Sequence, residues 1–246
     1  MPNWVSKYAD FTGEEKFKKT LAKMMQKYWV KEEVEIRHLA IQAGCGSVLE
    51  SLFWMLANEG DAAILPGPVY PNFFVDGFLR CQVNIEVAKT SQDDDFALTH
   101  ELLEAAYQNS IANGSTPKIL LLCQPCNPNG KMYSHEELSL CIDFAKKYDL
   151  HIISDEIYAL SIMPGSEMLS MAQIPTDYEK IHIAGGLSKD FGISGFRVGI
   201  LYSKNEELIQ GMAGIGYFEG VSNVTQYILN EVLSDEEWLD KYINTN

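Results

Sequence analysis

An α/β fold, with a mainly parallel sheet between two helix layers, is what this sequence predicts. Three observations point there. Short apolar runs alternate with longer amphipathic ones along most of the chain, the pattern of strand–helix–strand units. At 246 residues and 46% hydrophobic, the chain is long enough and apolar enough for a sizeable core without disulfides or a structural metal. No internal repeat, low-complexity tract or Pro/Ser-rich linker divides it.

The elements follow in order. Phe17, Leu21, Met24, Met25 and Tyr28 recur at helical spacing, which predicts an amphipathic helix over about 13–29. A Gly-rich turn leads into a second helix over 46–57. Strands are expected at 62–65, 83–87, 118–123, 151–154, 181–184 and 198–202. Between them, 71–79, 100–113 and 134–148 read as helices, and a last helical pattern runs from about 222 to 242. The run Ser91-Gln-Asp-Asp-Asp95 reads as a solvated acidic turn.

Charge excludes some functions. Nineteen Lys plus Arg against 34 Asp plus Glu leave a net charge of −15, which argues against tracking nucleic-acid phosphates or docking on anionic membranes. No apolar stretch approaches the ~18 residues of a membrane span, and no secretory signal opens the chain, so a cytoplasmic setting is expected. The five cysteines form no short-spaced framework. Cys123-Gln-Pro-Cys126 has redox spacing but follows an apolar run and has no second pair nearby, so buried thiols are expected there, with no metal.

Ligands of open parallel sheets bind beyond the strands' C-terminal ends. The loops there are chemically loaded: Gly44-Cys-Gly-Ser47, Pro66-Gly-Pro-Val-Tyr-Pro71, Cys126-Asn-Pro-Asn-Gly130, Asp155-Glu-Ile-Tyr158 and Gly185-Gly-Leu-Ser-Lys-Asp190. Lys189 sits among glycines and apolar residues, eight positions before Arg197. Desolvation and a neighbouring cation would lower its pKa and make it a nucleophile, while Arg197 could clamp a phosphate with two parallel bonds. Gly44-x-Gly46 could pass for a dinucleotide fingerprint. The third glycine position is Leu49, and the loop precedes the first clear strand of the alternation, so that reading is rejected.

Read together, Leu187-Ser-Lys-Asp-Phe-Gly-Ile-Ser-Gly-Phe-Arg-Val-Gly199, Cys126-Asn-Pro-Asn-Gly130 and Ser154-Asp-Glu-Ile-Tyr158 resemble the fold-type-I pyridoxal-phosphate enzymes of the class I/II aminotransferase superfamily. Leu102-Leu-Glu-Ala-Ala-Tyr-Gln108 and Leu233-Ser-Asp-Glu-Glu-Trp238 make the resemblance closest to the 1-aminocyclopropane-1-carboxylate synthase-like branch. The resemblance implies pyridoxal 5'-phosphate as cofactor, an amino acid as substrate and a homodimer. It implies that Lys189 holds the cofactor as a Schiff base and moves the substrate's Cα proton. Asp155 would pair with the pyridine nitrogen, Tyr158 and Asn127 with the ring oxygen, and Tyr70 with the ring face. Cys45, Gly46, Ser47, Ser188 and Arg197 would hold the phosphate. Transamination and an α,γ-elimination both fit this set.

The chain also departs from the family pattern. Gly186 stands where the family has Ser, Gly46 where it has Thr or Ser, and Phe11 where it has a Tyr that reaches the partner's phosphate. Each lost hydroxyl removes a bond to a charged acceptor, roughly 1.5–3 kcal/mol, so weakened rather than abolished cofactor binding is expected. By the resemblance, residues 1–221 form the cofactor-binding large domain. Residues 222–246 begin a helix leading toward an absent or truncated C-terminal small domain, the one that carries the family's arginine for the substrate carboxylate. Lys241 reads as exposed and does not replace it. An impaired member kept as a cofactor-binding or scaffolding subunit is the alternative.

Overall fold

The computed structural model describes residues 2–163 and 165–245. Met1 and Asn246, the outer ends of the two expected domain spans, fall outside them. In chain order the elements are α1 (Glu15–Met24), β1 (Leu39–Gln42), α2 (Cys45–Leu56), β2 (Ala62–Pro66), α3 (Asn72–Phe78), β3 (Asn84–Ala88), α4 (His100–Ala112), β4 (Pro117–Cys123), α5 (His135–Tyr148), β5 (His151–Asp155), β6 (Ile181–Gly186), β7 (Gly199–Ser203), α6 (Glu206–Glu219), α7 (Asn223–Leu233) and α8 (Glu236–Thr245). The α/β class with a mainly parallel sheet is therefore as expected. The chain divides into two compact units.

One unit comprises Leu49–Glu156 and Glu167–Ala184. Its strands pair in parallel, β6 with β5, β5 with β4, β4 with β2 and β2 with β3. Ile64, Leu65, Ile119, Leu120, Leu121, Leu122, Ile152 and Ile153 are buried along both faces of these strands, as parallel strands under helices must be. Helix α4 packs on β2, β3 and β4, and α5 packs on β5 and α4. Helix α5 starts on a reciprocal cap, in which the Glu137 amide donates to Ser134 Oγ (3.2 Å) and the Ser134 amide to Glu137 Oε2 (2.9 Å).

The other unit comprises residues 1–48, 157–166 and 185–246. Here β1 pairs antiparallel with β7, Leu39 opposite Tyr202. Helix α1 packs on α7 and β1, and α6 on β1 and β7. Phe17, Leu21, Met25, Leu39, Ile41, Leu201 and Met212 form its core. The last residues of β6 continue into this unit, and the Leu187 amide donates to Val198 O (3.1 Å).

Several boundaries differ from those the sequence predicts. The helix expected over 13–29 is α-helical only to Met24 and closes in a wider π turn over Met25–Trp29. The run expected over 222–242 is two helices, broken between Leu233 and Glu236. Strand β1 and helix α6 were not anticipated. Because β1 precedes the Gly44 loop, one ground for rejecting a dinucleotide fingerprint falls. The other, Leu49 in place of the third glycine, stands. Among the described residues, no helix is long and apolar enough to cross a membrane.

Candidate functional site

The unit built around β1 and β7 holds Cys45, Gly46, Ser47, Tyr158, Ser188, Lys189 and Arg197. Strand β6 ends at Gly186, and the chain turns through Ser188–Phe191 before a 3₁₀ turn at Ser194–Phe196. The Gly192 amide closes the first turn on Lys189 O (3.1 Å). Lys189 was expected to be desolvated. The structure leaves it exposed, because the turn lies at the surface, and its ammonium group has no partner among the described residues.

Arg197 takes a left-handed backbone conformation (φ 54°) that folds its side chain back toward α2. Its Nη1 donates to Ser194 O (3.0 Å) and its Nη2 to Ala43 O (3.2 Å). Two residues beyond Ala43, α2 begins at Cys45. Its first amides lack intrahelical acceptors and carry the positive end of the helix dipole. A guanidinium at that end is a like-sign arrangement, unfavourable by itself and favourable once an anion lies between. Gly44 makes room for it: with φ at 98°, a Cβ there would sit 2.2 Å from Arg197 Nη2. This glycine cradle, a guanidinium with donors to spare and a helix N-terminus fit a phosphate or a similar oxyanion. The Ser47 hydroxyl is already engaged, donating to Ala43 O (3.1 Å).

Gly186 reads differently in three dimensions. A Cβ there would lie 2.4 Å from Val198 O. The position excludes any side chain, so it is more than a serine without its hydroxyl. Phe11 is partly exposed and packs edge-on against Tyr217, ring centroids 5.7 Å apart.

The parallel-stranded unit holds Tyr70, Asn127 and Asp155. Asp155 is the last residue of β5 rather than the first of the following loop, and it is buried. Its backbone carbonyl accepts from the Gln124 amide (2.9 Å). Asn127 is half-buried in the turn after β4, which the Gly130 amide closes on Cys126 O (2.7 Å). Just before it, burial and a hydrogen bond with Cys126 hold the Cys123 thiol well above the usual range, the bond being the larger cause, and the same bond lowers Cys126. Tyr70 packs edge-on against Phe73 (5.5 Å), and its hydroxyl accepts from Asn72 Nδ2 (2.9 Å).

Two residues were passed over in the sequence. Glu156, 1% exposed, receives Ser154 Oγ (2.9 Å), the Met171 amide (2.9 Å) and Gln124 Nε2 (3.3 Å), so it braces the loop after Asp155. Asp190, beside Lys189, receives the Leu160 amide (3.2 Å) and Ser161 Oγ (2.7 Å). Its burial outweighs those bonds and pushes its carboxyl up to about 7. Asp190 carries a sequence signal, as the one acid in the run 185–199, whereas Glu156, beside Asp155, carries none.

Comparison with known proteins adds the following. The family described as aminotransferase class I and II matches residues 3–246. The chain is 34% identical over 245 residues to 1-aminocyclopropane-1-carboxylate synthase 11 of Arabidopsis thaliana, covering 97% of this chain and 53% of that protein. It is 35% identical over 252 residues to a human protein named probable inactive 1-aminocyclopropane-1-carboxylate synthase-like protein 2, covering 97% of this chain and 44% of that one. The chain thus spans about half the length of the curated relatives it matches. Among solved structures, aspartate aminotransferase of Thermotoga maritima superposes with a TM-score of 0.82 at 25% identity, over 95% of this chain and 60% of that one. That of Thermus thermophilus with maleate has the same fold, with a TM-score of 0.86 at 22% identity, over 98% of this chain and 60% of that one.

Proposed function

Because this chain belongs to the aminotransferase class I and II family, we propose that it binds pyridoxal 5'-phosphate and acts on an amino acid. The reaction is a transamination or the α,γ-elimination implied by the resemblance to 1-aminocyclopropane-1-carboxylate synthases. The bound cofactor supplies an electron sink for charge developing at the substrate's α-carbon. The chain's own residues do the rest. Arg197, the Ser188 hydroxyl and the amides of Cys45, Gly46 and Ser47 would hold the phosphate. Asp155 would keep a proton on the pyridine nitrogen, Tyr158 and Asn127 would donate to the ring oxygen, and Tyr70 would cover the ring face. Lys189 would hold the cofactor covalently and carry the proton at the α-carbon, and its exposed side chain leaves the nitrogen accessible for that role. In this reading residues 1–221 are the cofactor-binding part, and the working unit is a homodimer.

The observation that carries the proposal is the Arg197 guanidinium lodged on Gly44 at the start of α2. Adding pyridoxal 5'-phosphate, reducing with borohydride and mapping the modified peptide tests it. Modification at Lys189 that Arg197→Ala weakens and Lys189→Ala abolishes is expected; unmodified Lys189 in the parent chain overturns it. One finding favours a second reading, a cofactor-binding subunit without turnover: a relative as similar as the plant synthases bears the name probable inactive. Capture at Lys189 with no conversion of any amino acid in a broad panel would select that reading.

A further inference from the structure

We propose that Asp190 is a positioning residue that ties the turn carrying Tyr158 to the turn carrying Lys189. The inference rests on the roles just given to those two side chains. Its ground is a set of contacts converging on one residue. The two carboxylate oxygens are divided between neighbours on the 158–161 turn. Oδ2 accepts from the Leu160 amide (3.2 Å), and Oδ1 from the Ser161 hydroxyl (2.7 Å). That turn is closed by the Ser161 amide on Tyr158 O (2.9 Å), so Tyr158 and the Asp190 anchor belong to one rigid hydrogen-bonded ring.

From the other side, the Tyr242 hydroxyl of α8 donates to Asp190 O (3.1 Å). The Phe191 ring stacks on Tyr242 with centroids 5.2 Å apart, and Tyr242 stacks on Trp238, also at 5.2 Å. Asp190 is therefore clamped through its backbone by α8 and reaches with its side chain to the Tyr158 turn. Beside it lies a cavity of about 420 Å³, whose lining includes Leu160, Ile162, Lys189, Phe191 and Tyr242. Lys189 and the Leu160–Ser161 segment thus line one cavity, and Asp190, also in its lining, bonds to that segment.

A carboxylate is a costly choice for a mere turn anchor, because burial penalises its charge. It offers what an amide lacks, acceptors on both oxygens, and it receives a donor on each. Fixing a hydroxyl and an amine relative to one another is where small displacements cost most in rate.

Two measurements test this. In the unloaded chain at about pH 8.5, where a carboxyl raised to about 7 is ionised, Asp190→Asn should raise amide hydrogen exchange about tenfold in residues 157–163 and 187–192, the factor expected when one bond to a charged acceptor is lost. Other segments should keep their rates. Ser161→Ala, which removes a single donor, should give a smaller increase confined to the same segments and serves if Asp190→Asn fails to fold. Unchanged exchange in 157–163 in either variant overturns the proposal.

In the loaded chain, the pH midpoint of the cofactor's visible band is read in the parent, Tyr158→Phe, Asp190→Asn and the double variant. Removing the Tyr158 donor should raise the midpoint. Asp190→Asn should raise it in the same direction, and the double variant should move no further than Tyr158→Phe alone. Additive shifts, or none from Asp190→Asn, overturn the inference. A parent chain with no Lys189-dependent band would instead overturn the proposed function, while the exchange measurement would still decide the tie between the two turns.

Discussion

Gly44 and Gly186 are both glycines of the site, and the structure gives them opposite meanings. Gly44 makes room for a functional group, because its left-handed backbone and missing Cβ leave the space that Arg197 occupies. Gly44→Ala should displace the guanidinium and weaken pyridoxal 5'-phosphate binding about tenfold or more, with about 1–3 kcal/mol of backbone strain as well. Cofactor titration beside a urea melt checks this, and unaltered affinity would refute it. Gly186 makes room for the sheet itself. Gly186→Ser brings back the hydroxyl usual in the family, but its Cβ would meet Val198 O at 2.4 Å. The expected outcome is a loss of about 1–3 kcal/mol in stability and no gain in affinity. Sequence reading singled out Lys189, Arg197 and the helix start near Cys45 because their spacing is a local fact. It misread Gly186 because the excluding atom lies across the sheet, twelve residues on. It misjudged Lys189 because exposure is set by where the turn comes to lie.

At the scale of elements, periodicity places α2, α4, α5 and the parallel strands to within a residue or two, but runs α1 into the π turn and joins α7 and α8 into one helix. It failed where local signals are weak. Strand β1 is only Leu39–Gln42, too short to show a period. Helix α6 carries Gly211, Gly214 and Gly216, which lower helix propensity and hide the pattern. Gly216 has a reason, since a Cβ there would meet Phe11 O at 2.1 Å.

Strands β5 and β6 also carry a pH response. His151 Nδ1 and His182 Nε2 lie 2.9 Å apart across the parallel pair. Burial lowers His182 to about 3 and His151 to about 4. The unfolded chain therefore binds more protons as pH falls below about 6.5, and the pair's contribution, full above that value, is lost toward acid. Asp190 and Asp76, raised by burial to about 7 and about 6, act with the opposite sign. Their contribution is full below about pH 4 and is lost as pH rises through their folded values. The parent's net pH dependence is thus partly cancelled, and a difference measurement isolates the histidines. Between about pH 7 and about pH 5, His182→Gln should lose roughly 2 kcal/mol less than the parent in urea unfolding. Equal losses would mean that His182 is not held neutral.

For the whole molecule the governing quantity is the charge of −15. Under the proposed function, an anionic cofactor would approach a repelling surface and be attracted only within reach of Arg197 and the start of α2. Raising salt from about 10 mM to about 100 mM shortens the screening length from about 30 Å to about 10 Å, which removes the distant repulsion before the close attraction. The association rate of pyridoxal 5'-phosphate should therefore rise over that range. A fall, measured by stopped-flow absorbance, would mean that the local cation dominates the approach.

The packing of Trp29 on Gly185 carries a consequence for how this chain can diverge. The indole's Cη2 lies 2.2 Å from where a Cβ on Gly185 would stand. Trp29 closes the π turn that follows α1, and Gly185 lies four residues before Lys189. Gly185 cannot gain a side chain alone: a side chain at 185 requires a smaller ring at 29, and a smaller ring at 29 leaves a void that a side chain at 185 would fill. Descendant sequences should therefore change these two positions as a correlated pair, which ties variation in a helix end far back in the chain to variation in the strand that leads to Lys189.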